Sequence, residues 1–147
     1  SRFVDEQEWT GTRDIAAYLV TPDAIRFCEE HHWDEVRAQC HALARYARER
    51  ITALVRAIHE SPLPPISADS TDWYMQMVSV SLPPIDTAKD AFGRTRLQAR
   101  LMDEFKIEAP IVTWNGKPYI RVSIQAYNTP EDVDRLVEAL DVSLRVP

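Results

Sequence analysis

The chain has 147 residues, of which 45% are hydrophobic and 27% charged, the balance of a globular domain long enough to bury roughly two-thirds of its unfolded surface. A net charge of −6 argues against non-specific binding to nucleic acid or to an anionic membrane, and the longest unbroken apolar run, Ile15 to Val20, falls far short of the ~20 residues that span a bilayer. Two cysteines, Cys28 and Cys40, without Cys-x-x-Cys spacing exclude a disulfide framework; the expectation is a reducing, cytoplasmic setting with each thiol buried or half-buried on a helix.

From the N-terminus, Gly11-Thr12 precede a short predicted helix, Asp14 to Val20, and Thr21-Pro22-Asp23 restarts a helix with Thr21 as its N-cap and proline at the first helical position. From Asp34 to His59 apolar or small residues recur at Val36, Cys40, Leu43, Ala47, Ile51, Leu54, Val55 and Ile58. That spacing of threes and fours makes one continuous stripe on a helix about 39 Å long at ~1.5 Å per residue. Arg37, Arg45, Arg48, Glu49 and Arg56 fall mostly off the stripe, as a solvated face requires. Prolines at 62, 64 and 65 end the helix.

Trp73 to Val80 is rich in aromatic, Met and Val residues and reads as a strand. Asp90 to Phe105 places Leu97, Leu101 and Phe105 at four-residue spacing, the pattern of a helix, with Gly93 near its start. Ile111–Trp114 and Pro118–Ile124 flank Asn115-Gly116, a hairpin turn signal because both central residues of a type I′ turn need positive φ. Thr129 caps a last helix with Pro130 at its first position and Val133, Leu136, Val137 and Leu140 on its buried face. The expected fold is α+β: a two-layer sandwich with a small antiparallel sheet, helices on one face, and a long connecting helix before it. The expected divisions are residues 1–32, the helix 33–60, and a small domain 61–147.

Alternation along the last strand puts Ile120, Val122 and Ile124 on the helix side and turns Tyr119, Arg121 and Ser123 away from it. A guanidinium so placed can hold a carboxylate through two parallel hydrogen bonds, or can be a plain surface arginine. Gly11-Thr12 offers a backbone N–H, a hydroxyl and a helix N-terminus, donors suited to a phosphate, although Thr12 or Asp14 could equally cap the helix. Arg13 adds a cation whose role, toward phosphate, substrate or a subunit salt bridge, stays open. His31, His32, His41 and His59 show no zinc-ligand spacing, so no metal is expected. A non-enzymatic alternative has the open sheet face, with Arg121 and Trp114, binding a protein partner.

Two runs carry a family resemblance. Tyr119-Ile120-Arg121-Val122-Ser123-Ile124 followed by Gln125-Ala126-Tyr127-Asn128-Thr129 and the Pro130–Leu140 helix closely resembles the C-terminal signature of class V aminotransferase-family (fold type I) pyridoxal-phosphate enzymes. Trp9-Thr10-Gly11-Thr12-Arg13-Asp14 resembles the Gly-Thr loop of the same family, most closely in its isopenicillin N epimerase-like members. The resemblance implies pyridoxal 5′-phosphate as cofactor, an amino-acid substrate whose α-carboxylate Arg121 grips, and a homodimer in which Gly11, Thr12 and Arg13 reach the cofactor phosphate of the second subunit. Family members hold the cofactor through a lysine Schiff base upstream of the Gly-Thr loop, whereas the lysines here are Lys89, Lys106 and Lys117. The expectation is therefore the C-terminal part of a longer enzyme: residues 1–32 close the missing large domain, and no catalytic residue lies in this stretch. Desulfurases of the family carry a nucleophilic cysteine between the residues matching Ile107 and Arg121, where this chain has the Asn-Gly hairpin. Epimerisation, transamination and C–S lyase chemistry on a substrate with its own leaving group remain, and overall similarity favours the epimerase-like branch.

Overall fold

A computed structural model describes residues 1–8, 11–59, 63 and 71–145. Trp9 and Thr10, and all but residue 63 of the proline-rich stretch from residue 60 to 70, lie outside the described residues. The chain divides into two units, Ser1–Glu35 and Val36–Pro147.

The first unit holds α1 (Arg2–Glu8), α2 (Ala16–Leu19), α3 (Thr21–Glu30) and the opening turn of α4 (Trp33–Ile58). The predicted helix over residues 14–20 is shorter, one turn only, because Asp14 lies outside it: its Oδ1 accepts the Ala16 N–H at 2.8 Å. Thr21 is not an N-cap. It sits inside α3 behind Val20, and its hydroxyl donates back to the Ala17 carbonyl, a bond that tightens the α2–α3 junction. α3 ends at His31, whose ring stacks on Phe27 at 4.0 Å, and His32 turns the chain into α4 with φ of 49°. α1, α2 and α3 contain no buried residue.

The second unit carries the core. The stripe on α4 buries Cys40, Ala44, Ala47, Ile51 and Val55, as the spacing predicts, with Ala44 added. Three strands follow, β1 (Met77–Ser81), β2 (Ile111–Trp114) and β3 (Lys117–Ser123), in the order β1-β3-β2 and antiparallel throughout. Asn115 and Gly116 both take positive φ, 49° and 73°, so the β2–β3 hairpin is the one the sequence demands. Val78, Val80, Ile111, Ile120, Val122 and Ile124 turn to one face and share a single core with the helices α4, α5 (Arg96–Phe105) and α6 (Pro130–Arg145). The architecture is the α+β sandwich expected.

Two further elements, both in the second unit, start later than predicted. β1 starts at Met77, because Thr71–Trp73 form a 3-10 turn instead of strand. α5 starts at Arg96 rather than at residue 90: the Asp90 carboxylate accepts the N–H groups of Phe92 and Arg94, and Gly93 takes φ of 77°, closing a loop that competes with helix. Thr95 then caps α5, accepting the Gln98 N–H at 3.2 Å. At α6, Asp132 reaches back to the Thr129 N–H at 3.1 Å. α4 and α6 are tied by Tyr46, whose hydroxyl donates to Asp134 at 2.8 Å and accepts from Arg50 at 2.9 Å. That bond to Asp134 holds the Tyr46 phenol above its ordinary value.

Candidate functional site

Arg121 lies on β3 between Ile120 and Val122, which face the core, so the pleat directs its side chain to the other face of the sheet. Its backbone is clamped on both sides: Ser79 stands opposite on β1, and its N–H donates to the Pro110 carbonyl at 2.9 Å, extending the β2 ladder. The guanidinium Nε is buried and has no hydrogen-bond partner among the described residues. Arg121 borders a cleft of about 150 Å³ with Glu108, Pro110, Ser123, Asn128 and Asp132. The two cleft residues next to α6 are already engaged. Asn128 Oδ1 accepts the Gln125 N–H at 2.9 Å, closing the turn after β3, and Asp132 holds the start of α6. A rigid strand thus presents an arginine with an unused donor, the arrangement that receives a carboxylate.

One expectation about this face needs correction. Tyr119, expected to share an open face with Arg121 and Ser123, is buried, at 4% exposure; Arg121 is half-buried and Ser123 exposed. Along β3 cover gives way to solvent from Tyr119 through Arg121 to Ser123, while the Arg121 Nε itself stays buried. Alternation reports the side of a sheet on which a residue lies; what covers that side is a non-local matter.

In the first unit, Gly11 takes φ of 77°, and Gly11, Thr12 and Arg13 are exposed. Neither capping alternative holds, since Ile15 takes the N-cap position; Asp14 only accepts the Ala16 N–H from outside the helix, and Thr12 makes no hydrogen bond among the described residues. With α2 a single turn and the Ala16 N–H taken by Asp14, the helix N-terminus contributes little to an anion here; the loop N–H groups and the Thr12 hydroxyl are what remain. The Arg13 guanidinium lies over the Tyr18 ring, 4.9 Å from its centroid. Gly11, Thr12 and Arg13 are together in one unit and Arg121 is in the other.

Cys28 is half-buried on α3 and Cys40 buried on α4. His41 Nε2 donates to the Thr71 carbonyl at 3.1 Å, its ring edge-on to Tyr74 at 5.3 Å. Among the described residues no three His, Cys, Asp or Glu side chains gather as a metal would need, and no helix is long and apolar enough to cross a membrane. Sequence reasoning did not find the Tyr46–Asp134–Arg50 link, whose ends are 88 residues apart and leave no local pattern.

Fold and site together describe a small α+β domain with an arginine whose buried Nε has no partner among the described residues. Comparison with known proteins places it more narrowly. No family model matches the chain. It is 33% identical over 135 residues to isopenicillin N epimerase of Streptomyces clavuligerus and 34% identical over 134 residues to that of Amycolatopsis lactamdurans, covering 91% and 90% of this chain. A probable chloroplastic L-cysteine desulfhydrase of Arabidopsis thaliana is 28% identical over 155 residues, covering 95% of the chain. The chain spans about 30% of the length of these relatives. It is thus similar, over nearly its whole length, to part of the isopenicillin N epimerases and cysteine desulfhydrases, in line with the resemblance read from its sequence.

Proposed function

We propose that this chain is the C-terminal part of a pyridoxal-phosphate enzyme of the class V family that acts on an amino-acid substrate, isopenicillin N epimerase-like, with Arg121 holding the substrate α-carboxylate. The observation that carries the reading is the buried, unpartnered Nε of Arg121 at the mouth of a cleft, in a chain whose relatives carry epimerase and desulfhydrase names. Gly11, Thr12 and Arg13 supply exposed donors and a cation that suit the cofactor phosphate, acting on the site of the second subunit of a homodimer. Lys89, Lys106 and Lys117 are all exposed, and Lys106 Nζ donates to the Asp103 carbonyl at 2.8 Å; on this reading the lysine that holds the cofactor lies outside this chain. When bound, the cofactor withdraws electrons from the substrate α-carbon. Arg121 fixes the carboxylate, and with it the direction in which the α-carbon presents its bonds.

The first unit supports the same assignment. Its helices bury no side chain, while Phe3, Tyr18, Leu19 and Ile25 are 72%, 61%, 67% and 55% exposed, the surface of a segment that finds its core in other polypeptide. A second reading, C–S lyase chemistry, is favoured by the desulfhydrase relatives, and the higher identity to the epimerases ranks it second. In the full-length enzyme Arg121→Lys keeps the charge and loses the paired geometry. Catalytic efficiency should fall roughly ten- to a hundred-fold, from ~1.5–3 kcal/mol for a charge-assisted hydrogen bond, while cofactor binding followed by absorbance is unchanged. Unaltered efficiency rejects the role given to Arg121.

A further inference from the structure

We infer that the cavity between α5 and the last turn of α6 is a binding site for a small oxyanion, phosphate or carboxylate, gripped by Arg96, Arg100 and the Ser143 hydroxyl. The cavity has a volume of about 620 Å³ and shares no lining residue with the Arg121 cleft. Three features of its wall point to a negative guest. Arg96 and Arg100 stand one turn apart on α5, a like-charge pair that raises the helix's energy unless an anion lies between them. Arg100 is partly neutralised, its Nε donating to Glu104 Oε2 at 3.0 Å, while Arg96 has no ion pair among the described residues. From the opposite side comes Ser143, 8% exposed, whose Oγ is buried without a hydrogen-bond partner among the described residues. A serine in a helix ordinarily returns its proton to the carbonyl one turn back; this one keeps it, in a residue that lines the cavity.

Donors from two helices therefore border one space, and a tetrahedral or planar oxyanion can accept from all three. Acidic groups set the limit on what fits. Glu104 is engaged by Arg100, and Asp86, on the loop side of the cavity, accepts the Ala88 N–H at 2.9 Å through Oδ1. The anionic head of a ligand belongs against α5 and α6, away from Asp86, and a donor group on the same ligand would suit the Asp86 side. The site is independent of the amino-acid chemistry proposed for Arg121.

The test is a titration of the isotope-labelled 147-residue chain with inorganic phosphate at constant ionic strength, read by amide chemical shifts, with acetate as a parallel arm that separates a phosphate site from a general carboxylate site. The expected result is a saturable shift confined to the amides near Arg96, Arg100 and Ser143. Arg96→Gln, a change at an exposed position, should weaken binding about tenfold or more, in line with losing a charge-assisted contact. Ser143→Ala should weaken it severalfold without lowering the melting temperature, because the hydroxyl it removes has no partner. Arg45→Gln, at an exposed arginine on α4 near Glu49, should change nothing. Shifts that stay linear and spread over the surface arginines, or an affinity that Arg96→Gln leaves intact, overturn the inference.

Discussion

An arginine that serves a ligand and an arginine that serves the fold respond in opposite ways to removal of the guanidinium, and Arg121 offers that contrast directly. Arg121→Met retains an unbranched, apolar stem of similar reach while deleting the head group. The Nε is buried with no partner among the described residues, so the native protein carries the cost of desolvating a donor, a penalty of about 1–3 kcal/mol for a fully sequestered group. Because the residue as a whole is half-buried, the gain on removing it should lie toward the low end, about 0.5–1.5 kcal/mol. For a domain of this size that corresponds to a rise in melting temperature of roughly 2–6 °C. Urea and thermal unfolding of the 147-residue chain, followed by circular dichroism, measure it. Arg121→Ala is the companion variant: it also loses the stem and should be less stable than Arg121→Met. A loss of more than about 1 kcal/mol in Arg121→Met would show that the guanidinium holds the fold together, and the ligand role would lose its physical basis.

Ile51 lies in the middle of the α4 stripe at 0% exposure, so Ile51→Ala should cost about 2–5 kcal/mol in urea unfolding, whereas Arg56→Ala on the exposed side of the same helix should stay within about 0.5 kcal/mol; equal effects would remove the stripe as the determinant of how α4 packs. The Arg94 N–H, joined by the Arg94 guanidinium and the Phe92 N–H, holds the Asp90 carboxyl below its ordinary value of 3.8. Since the folded value is the lower one, the stability this group contributes is present above the unfolded value and is lost as pH falls through the folded value. Asp90→Asn should accordingly lower the urea midpoint at about pH 7 and leave little difference from the parent at about pH 2, and a gap that persists in acid would assign the effect to packing instead of charge.

Local chemistry made several parts of this protein legible. Asn115-Gly116 specifies its hairpin because few residue pairs accept positive φ twice in succession, and the structure has both. The α4 stripe and the α6 face follow from a period of 3.6 residues, and the outward side of Arg121 from a period of two; these properties need only neighbours in sequence. The family motifs were visible for the same reason, being short runs of residues. Where sequence reading failed locally, at Thr21 and at the start of α5, side-chain bonds to nearby backbone competed with the helix: Thr21 bonds back to Ala17, and Asp90 closes its own loop. Only the tertiary structure decided that Tyr119 is covered while Ser123 is open, that Tyr46 meets Asp134, that Arg121 Nε is buried without a partner, and that Ser143 borders the cavity of Arg96 and Arg100. Each of these depends on what a second element, distant in sequence, brings against the first. Periodicity settles which way a side chain turns; whether it meets solvent, a partner or an empty cleft is settled by packing.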